Sequence, residues 1–82
     1  MISKKIKVEL QGRAGLIYHE GNRKIQIDSE LLAGPQFDIV IYVDSIKAWG
    51  PPFEGDSLTP EDIKRIKSNI SSALGKMRVD WQ

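Results

Sequence analysis

The side chains that could carry out chemistry are few in this sequence, and their spacing does not suit catalysis. There is one histidine, His19, followed directly by Glu20, and there is no cysteine. The pair could act as a general acid and base. Neighbouring residues of a strand point to opposite faces, however, so the two side chains do not converge. The serines have no second histidine, nucleophile elbow or lysine-pair motif near them, and we expect no catalytic residue and no enzyme.

Motifs for metal ions and phosphate groups are also missing. Asp44, Glu54 and Asp56 carry carboxylates, but their spacing does not match a Ca²⁺ loop, which needs ligands at alternate positions and a distal Glu. Residues 12–15 contain two glycines but lack the Lys-Ser/Thr pair and the following helix of a phosphate-binding loop. Without cysteine there are no disulfides and no thiolate ligands. We therefore expect no metal and no cofactor.

Trp49 is the residue whose position most needs a reason. It lies in a segment rich in glycine and proline and is followed by Gly-Pro-Pro and then Phe53. One interpretation is that it folds back onto a sheet beside Phe53 and fills the core. The other is that it faces a partner, because tryptophan is enriched at the hot spots of protein interfaces. In that case the surrounding acids Asp44, Glu54 and Asp56 would steer a basic partner.

Hydrophobic periodicity predicts three strands in the first part of the chain, and these are the first elements that must position the residues above. Residues 4–10 alternate between apolar and polar, which predicts a half-buried strand. Residues 16–18 and 24–28 predict two more strands, joined through a Gly/Asn-containing turn at 20–23. Together they form a meander. The positions predicted to face inward are Ile6, Val8, Leu10, Ile25 and Ile27.

The middle of the chain combines one strongly apolar segment with two irregular ones. Residues 30–35 are too short for a helix of their own and end in Gly-Pro, which predicts a loop with at most one helical turn. Residues 37–43 are β-branched, aromatic and nearly all apolar, and such a run predicts a strand at the centre of a sheet with both faces covered. Residues 44–55 contain the Gly-Pro-Pro run and are predicted to be irregular.

The clearest element is a helix over residues 60–74. Thr59 suits the N-cap, a proline follows at the first helical position, and Asp62 can complete a capping box. Apolar residues at helical spacing form one face, and Gly75 ends the helix. A last strand is predicted over 77–81. The 82 residues thus form one α+β domain, with this C-terminal amphipathic helix packed on one face of a mostly antiparallel sheet of four or five strands.

Charge is segregated along the chain, although the net charge is only +1. Residues 1–24 carry six basic and two acidic side chains, residues 25–62 carry one and eight, and residues 63–82 carry five and one. The near-neutral total gives no general attraction to nucleic acid or anionic membranes. The acidic middle block reflects either the turn preference of acids and the needs of a helix N-terminus or a functional negative surface.

The N-terminus and the apolar runs bear on location. The first residues carry positive charge with no apolar run after them, unlike a signal peptide. The longest apolar stretch, residues 39–43, is far shorter than the roughly 20 residues that span a bilayer. We therefore expect a cytoplasmic protein with no membrane partner.

The run Val43-Asp44-Ser45-Ile46-Lys47-Ala48-Trp49-Gly50-Pro51-Pro52 resembles the signature of a bacterial family, immunity protein 74, with its Ser-Ile-x-x-Trp-x-x-Pro segment. The similarity covers about residues 24–81, and Ala48 and Gly50 depart from the larger or more polar residues expected there. The resemblance implies a non-enzymatic protein that binds the C-terminal domain of a polymorphic or contact-dependent growth-inhibition toxin in the cytoplasm of the producing cell. Many such toxins are basic nucleases, which would suit the acidic middle block.

Two functional hypotheses follow. In the first, this chain occludes a cognate toxin domain over a standard interface of about 800 Å² per partner, with Trp49 as the apolar anchor and the acids contacting basic groups of the toxin. The alternative is a small nucleic-acid-binding module, if the strand order brings Lys5, Lys7, Lys76 and Arg78 onto one face. The toxin-binding residues predicted by the first hypothesis are Tyr42, Asp44, Lys47, Trp49, Glu54 and Asp56.

Overall fold

A five-stranded sheet with one helix across it forms the fold in the computed structural model, which describes residues 5–82. The strands lie side by side in chain order, the first four antiparallel and the last parallel to its neighbour. The predicted α+β class is confirmed. The elements are β1 (Ile6–Leu10), β2 (Ala14–Glu20), β3 (Arg23–Leu31), β4 (Ile39–Ile41), a 3₁₀ turn (Val43–Ser45), α1 (Pro60–Leu74) and β5 (Val79–Trp81).

The first three strands form the predicted meander, and their alternation decides which face is buried. Ile25 and Ile27 of β3 are buried as expected. The expectation for β1 is wrong in part, because Ile6 and Leu10 are 37% and 40% exposed and only Val8 packs against the core. As β1 is an edge strand, its end residues have a neighbouring strand on one side only. Lys4 of the predicted strand lies outside the described residues.

The middle of the chain departs most from its prediction. Strand β3 runs on to Leu31, so the expected loop at 30–35 starts two residues late. The expected strand over 37–43 is reduced to Ile39–Ile41, although those three residues are all buried and lie between β3 and β5. Asp38, which was expected in the strand, is bound through its carboxylate by Arg78, the residue that precedes β5. On the other side of β4 the Ser45 hydroxyl donates to the Tyr42 carbonyl at 2.6 Å, which turns the chain away from the sheet.

Helix α1 has the predicted bounds. Thr59 Oγ1 accepts from the Asp62 amide at 3.1 Å, and Asp62 Oδ2 accepts from the Thr59 amide at 2.9 Å, so the capping box is complete. Gly75 ends the helix with a φ of +60°, a conformation that side chains with a Cβ disfavour. The helix forms the crossover between β4 and β5, as a parallel pair requires, and β5 is two residues shorter than predicted.

The core lies between the sheet and α1, and the loop after β4 closes it. Aliphatic side chains dominate it, with one tyrosine and one tryptophan. The residues of this core are Leu16, Tyr18, Ile25, Ile27, Ile39, Ile41, Ile46, Trp49, Ile66 and Ile70. The sheet therefore has one covered face and one face with no helix on it, which we call the open face.

Candidate functional site

Acidic side chains from three separate segments meet on the open face. Glu30 of β3 and Asp80 of β5 flank Val40 in one row across the sheet. The Tyr42 amide donates to the Asp28 carbonyl at 2.9 Å, which places Tyr42 beside Asp28 two rows further along, on the same face. The strand order thus brings together acids that are up to 52 positions apart in the sequence. We call Asp28, Glu30, Asp44 and Asp80, with Tyr42 among them, the acidic face.

Two shallow grooves run over this surface. They have volumes of about 540 Å³ and 390 Å³ and share Gln26, Asp28 and Tyr42 in their linings, so they form one continuous depression. The larger groove is also lined by Asp44, Ser45 and Lys47, and the smaller one by Ala14, Gly15, Ser29 and Glu30. Such an open depression suits a protein partner better than a small molecule, which prefers a concave, mostly apolar pocket.

The raised pKa of Tyr42 reflects the negative charge of this surface. Its hydroxyl donates to Glu30 Oε1 at 3.4 Å. The charge of Glu30 is the main cause that raises the pKa of Tyr42, and Asp80 adds to it. A phenolate beside two carboxylates would be disfavoured. Tyr42 therefore keeps its proton and remains a hydrogen-bond donor at neutral pH.

Ser45 holds the 3₁₀ turn against β3. Its Oγ accepts from the Asp28 amide at 2.8 Å and donates to the Tyr42 carbonyl at 2.6 Å. The first bond ties the turn to β3, and the second closes the turn around Asp44, which is exposed. The serine of the Ser-Ile-x-x-Trp segment thus positions the acidic face.

Trp49 belongs to the core, as the first of its two interpretations expected. It is 4% exposed and stacks on Tyr18 with the ring centroids 6.5 Å apart. The Gly50 amide donates to the Lys24 carbonyl at 2.7 Å, which ties the loop to β3 immediately after Trp49. A partner could reach this ring only if the loop moved. Phe53, which was expected beside it, packs against the same core.

Arg23 covers the outside of the tryptophan loop. Its guanidinium lies 5.6 Å from the Trp49 ring centre and 4.5 Å from that of Phe53, and it pairs with Asp56 at 2.8 Å. Asp56 is therefore committed to an ion pair within the loop, while Glu54 is exposed. Neither acid lines the grooves. Of the six residues predicted to bind a partner, the structure brings together Tyr42, Asp44 and Lys47 and separates the other three.

His19 and Glu20 face opposite sides of the sheet, as the strand geometry predicts. His19 pairs with Glu9 on the open face. Glu20 is 2% exposed on the covered face, where Arg65 of α1 donates to both of its oxygens at 3.0 Å and 2.9 Å. The Tyr18 hydroxyl donates to Glu20 at 2.6 Å, and burial followed by this bond raises the pKa of Tyr18 to about 12. This network joins the helix to the sheet, which is a structural role.

The basic ends of the chain are not brought together. Lys5 and Lys7 lie at β1, whereas Lys76 and Arg78 precede β5 at the opposite edge of the sheet. Four strand spacings separate those edges, about 19 Å. The strand order therefore separates these basic side chains and does not gather them into one patch. In residues 5–82 no group of three or more His, Asp or Glu side chains could hold a metal ion, and no helix there is long and apolar enough to cross a membrane.

Comparison with known families completes the description. The model of the family Immunity protein 74 matches residues 2–80, nearly the whole chain, and the chain therefore belongs to this family of immunity proteins. The resemblance seen in the Ser-Ile-x-x-Trp-x-x-Pro segment is confirmed and extends over the N-terminal meander as well. Comparison with curated proteins and with solved structures finds no match.

Proposed function

We propose that this immunity protein neutralises a cognate toxin domain by binding it with the acidic face and occluding the functional surface of the toxin. The observation that supports the proposal is the convergence of Asp28, Glu30, Asp44 and Asp80 around Tyr42 on the face that no helix covers. Family membership supplies the partner class, since an immunity protein acts against a toxin. In this proposal the protein acts in the cytoplasm of the producing cell.

The charge of this surface indicates the chemistry of the partner. Clustered carboxylates attract a partner rich in lysine and arginine and accelerate its association. A nuclease needs such basic groups to bind the phosphates of its substrate. An acidic protein that covers them would block the substrate directly, so we propose a nuclease as the toxin.

Individual residues have distinct roles in the proposed complex. Tyr42 offers an exposed ring and a phenol donor at the centre of the acids. Asp44 extends the negative surface along the groove. Lys47 lines the same groove and would pair with an acid of the correct toxin while repelling a purely basic one, which adds specificity. Trp49 supports the loop from inside, and Glu54 and Asp56 lie beyond the grooves and outside the proposed contact.

The first experiment tests the function itself. The test uses the secreted protein whose gene lies next to the gene for this chain. Its C-terminal domain is expressed in bacteria with and without the immunity protein. We expect growth arrest by the toxin domain alone and rescue by co-expression. With purified proteins, inhibition should saturate at one immunity protein per toxin. Absence of rescue, or inhibition at far lower ratios through modification of the toxin, would contradict a stoichiometric binder.

The second experiment tests the surface. One variant neutralises three acids of the acidic face, Asp28→Asn, Glu30→Gln and Asp44→Asn. A matched control neutralises three exposed acids outside the grooves, Glu54→Gln, Asp56→Asn and Glu61→Gln. At low salt we expect the first variant to associate with the toxin at least about tenfold more slowly and the control to change less than about threefold. Rescue by wild type with equal association of both variants would place the contact elsewhere.

A further inference from the structure

Strand β1 lies at one edge of the sheet, and no other strand of residues 5–82 pairs with its outer side. The Gly21 amide donates to the Lys5 carbonyl at 2.9 Å. At the other end of β1 the Gln11 amide donates to the Gly15 carbonyl at 3.0 Å. The backbone groups of an antiparallel strand alternate in direction, so the odd-numbered residues bond to β2. The residues whose amides and carbonyls point away from the sheet are Ile6, Val8 and Leu10.

The side chains of these outward-bonding residues lie on the covered face, because they pair in register with the buried residues of β2. Val8 packs against the core, whereas Ile6 and Leu10 are each more than a third exposed. A groove of about 300 Å³ opens between β1 and α1, and its lining residues are Ile6, Asn69, Ser72 and Ala73. Free backbone groups beside exposed apolar side chains are the features to which a further strand can add.

The open-face side of β1 carries charges of opposite sign about its middle residue. Lys7 and Glu9 flank Val8, and both are exposed. If two copies of β1 pair antiparallel about a two-fold axis at Val8, Lys7 of each copy lies opposite Glu9 of the other. Moving the axis by one residue would set Lys7 opposite a second Lys7, or Glu9 opposite a second Glu9. Opposite charges stabilise a strand pair and like charges destabilise it, so β1 is complementary to itself in the register centred on Val8.

The contacts that Glu9 already makes leave room for this pair. Its Oε1 binds His19, and its Oε2 contacts Lys7 of the same strand only at 3.8 Å. Both Lys7 and Glu9 point to solvent, so the lysine of a second copy can approach Oε2 without breaking the contact with His19.

The same register suits the backbone and the apolar side chains. It pairs Val8 with Val8 and Ile6 with Leu10, and all of these residues have outward-pointing amides and carbonyls, so about six hydrogen bonds can form between the copies. Leu10 of one copy then lies beside Ile6 of the other, next to the groove at α1. Backbone, apolar and charged groups therefore favour one and the same pairing.

We propose that two copies of this chain associate through β1 into a symmetric dimer, in which the two five-stranded sheets become continuous. Such an isologous contact closes the edge that the monomer leaves open. The two-fold axis is perpendicular to the sheet, so both open faces lie on the same side. The acidic face begins at β3, two strands from the axis, and each copy keeps its own for one toxin domain. The proposed function does not require the dimer.

Sedimentation equilibrium of the purified chain measures the dissociation constant of the dimer. We expect a wild-type dimer, and Lys7→Glu should raise its dissociation constant at least about tenfold, since like charges then face each other on both sides of the axis. The double variant Lys7→Glu/Glu9→Lys restores opposite charges and should return within about threefold of wild type. Lys64→Glu makes the same change of charge on the exposed surface of α1 and should also stay within about threefold.

The double variant separates lost pairing from lost folding, because it contains the substitution that weakens the dimer. An equimolar mixture of Lys7→Glu and Glu9→Lys should likewise associate, since each charge of one faces its opposite on the other. A wild type that is monomeric at millimolar concentration overturns the inference, as does a dimer that Lys7→Glu does not weaken or that the double variant does not restore. If the wild type is monomeric and Lys7→Glu weakens toxin binding, the toxin covers this edge and the self-association is wrong.

Discussion

The two faces of this sheet carry carboxylates in opposite environments. On the covered face, Glu20 is buried with Arg65 and Tyr18, and its charge holds the helix against the sheet. On the open face, Asp28, Asp44 and Asp80 surround Tyr42, and within residues 5–82 none of the three forms an ion pair with lysine or arginine. The difference shows that a carboxylate stabilises this fold where it is covered and paired, whereas on the open face its charge stays exposed to solvent.

The largest difference in stability between the covered core and the open face is expected when Trp49 and Tyr42 are each replaced by alanine. Trp49→Ala removes a buried ring from the stack with Tyr18 and leaves a cavity, so we expect a loss of about 3–5 kcal/mol in the free energy of unfolding. Tyr42→Ala on the open face should cost less than about 1 kcal/mol. Urea denaturation followed by circular dichroism measures both. A small effect at Trp49 would show that the loop after β4 does not close the core.

Two arginine–carboxylate pairs test whether a buried ion pair stabilises this fold more than an exposed one. Arg65→Ala leaves the buried Glu20 without its bidentate donor, and because Arg65 itself is 42% exposed we expect a loss of about 2–3 kcal/mol, less than for a fully buried pair. Arg78→Ala breaks an exposed pair with Asp38 that solvent screens, and should cost clearly less. Equal losses in urea denaturation would contradict the distinction.

Gly50 tests how tightly the tryptophan loop lies on β3. A Cβ at this position would come within 3.3 Å of the Lys24 carbonyl oxygen, which the Gly50 amide already binds. As this neighbour is strand backbone and cannot shift freely, Gly50→Ala should destabilise by about 1 kcal/mol. Gly34→Ala is the control, since a Cβ there meets nothing within 4 Å, and it should be neutral or slightly stabilising. Similar thermal midpoints for both variants would argue against a close fit.

The smallest expected effect concerns acid pH and the start of α1. The amide of Thr59 and then the guanidinium of Arg65 lower the pKa of Asp62 to about 2. Since the folded pKa lies below the unfolded value of about 3.9, the stabilisation is present above pH 4 and is lost as the pH falls towards 2. Urea midpoints between pH 5 and 2 should therefore decline less steeply for Asp62→Asn. Identical slopes would show that the capping carboxylate does not contribute.

Local patterns predicted those parts of the fold that depend on neighbours in sequence. Helix α1 has its predicted bounds because Thr59, Asp62 and Gly75 act within a few residues of its ends. The strand over 37–43 was predicted too long because the bonds that end it come from Arg78, about 40 residues away, and from the turn made by Ser45. Burial of β1 was overestimated because periodicity indicates a face but does not show that a strand lies at the edge.

The candidate site was predicted in part for the same reason. Tyr42, Asp44 and Lys47 are close in sequence and remain close in the groove, whereas Asp28 and Glu30 were missed although they alternate with the inward residues of β3. Asp80 had no local signal at all. It joins the acidic face only because β5 pairs with β4 after the helix.

By itself the sequence determined the class of fold, the helix with its caps, the acidic middle block and the family. These follow from periodicity, short-range hydrogen bonds and residue types, which act over a few positions. Only the tertiary structure decided that Trp49 is buried, that Glu20 meets Arg65, and that Asp80 lies in one row with Glu30 on the open face. Each of these depends on which strand pairs with which, and that is settled by burying the whole apolar face at once.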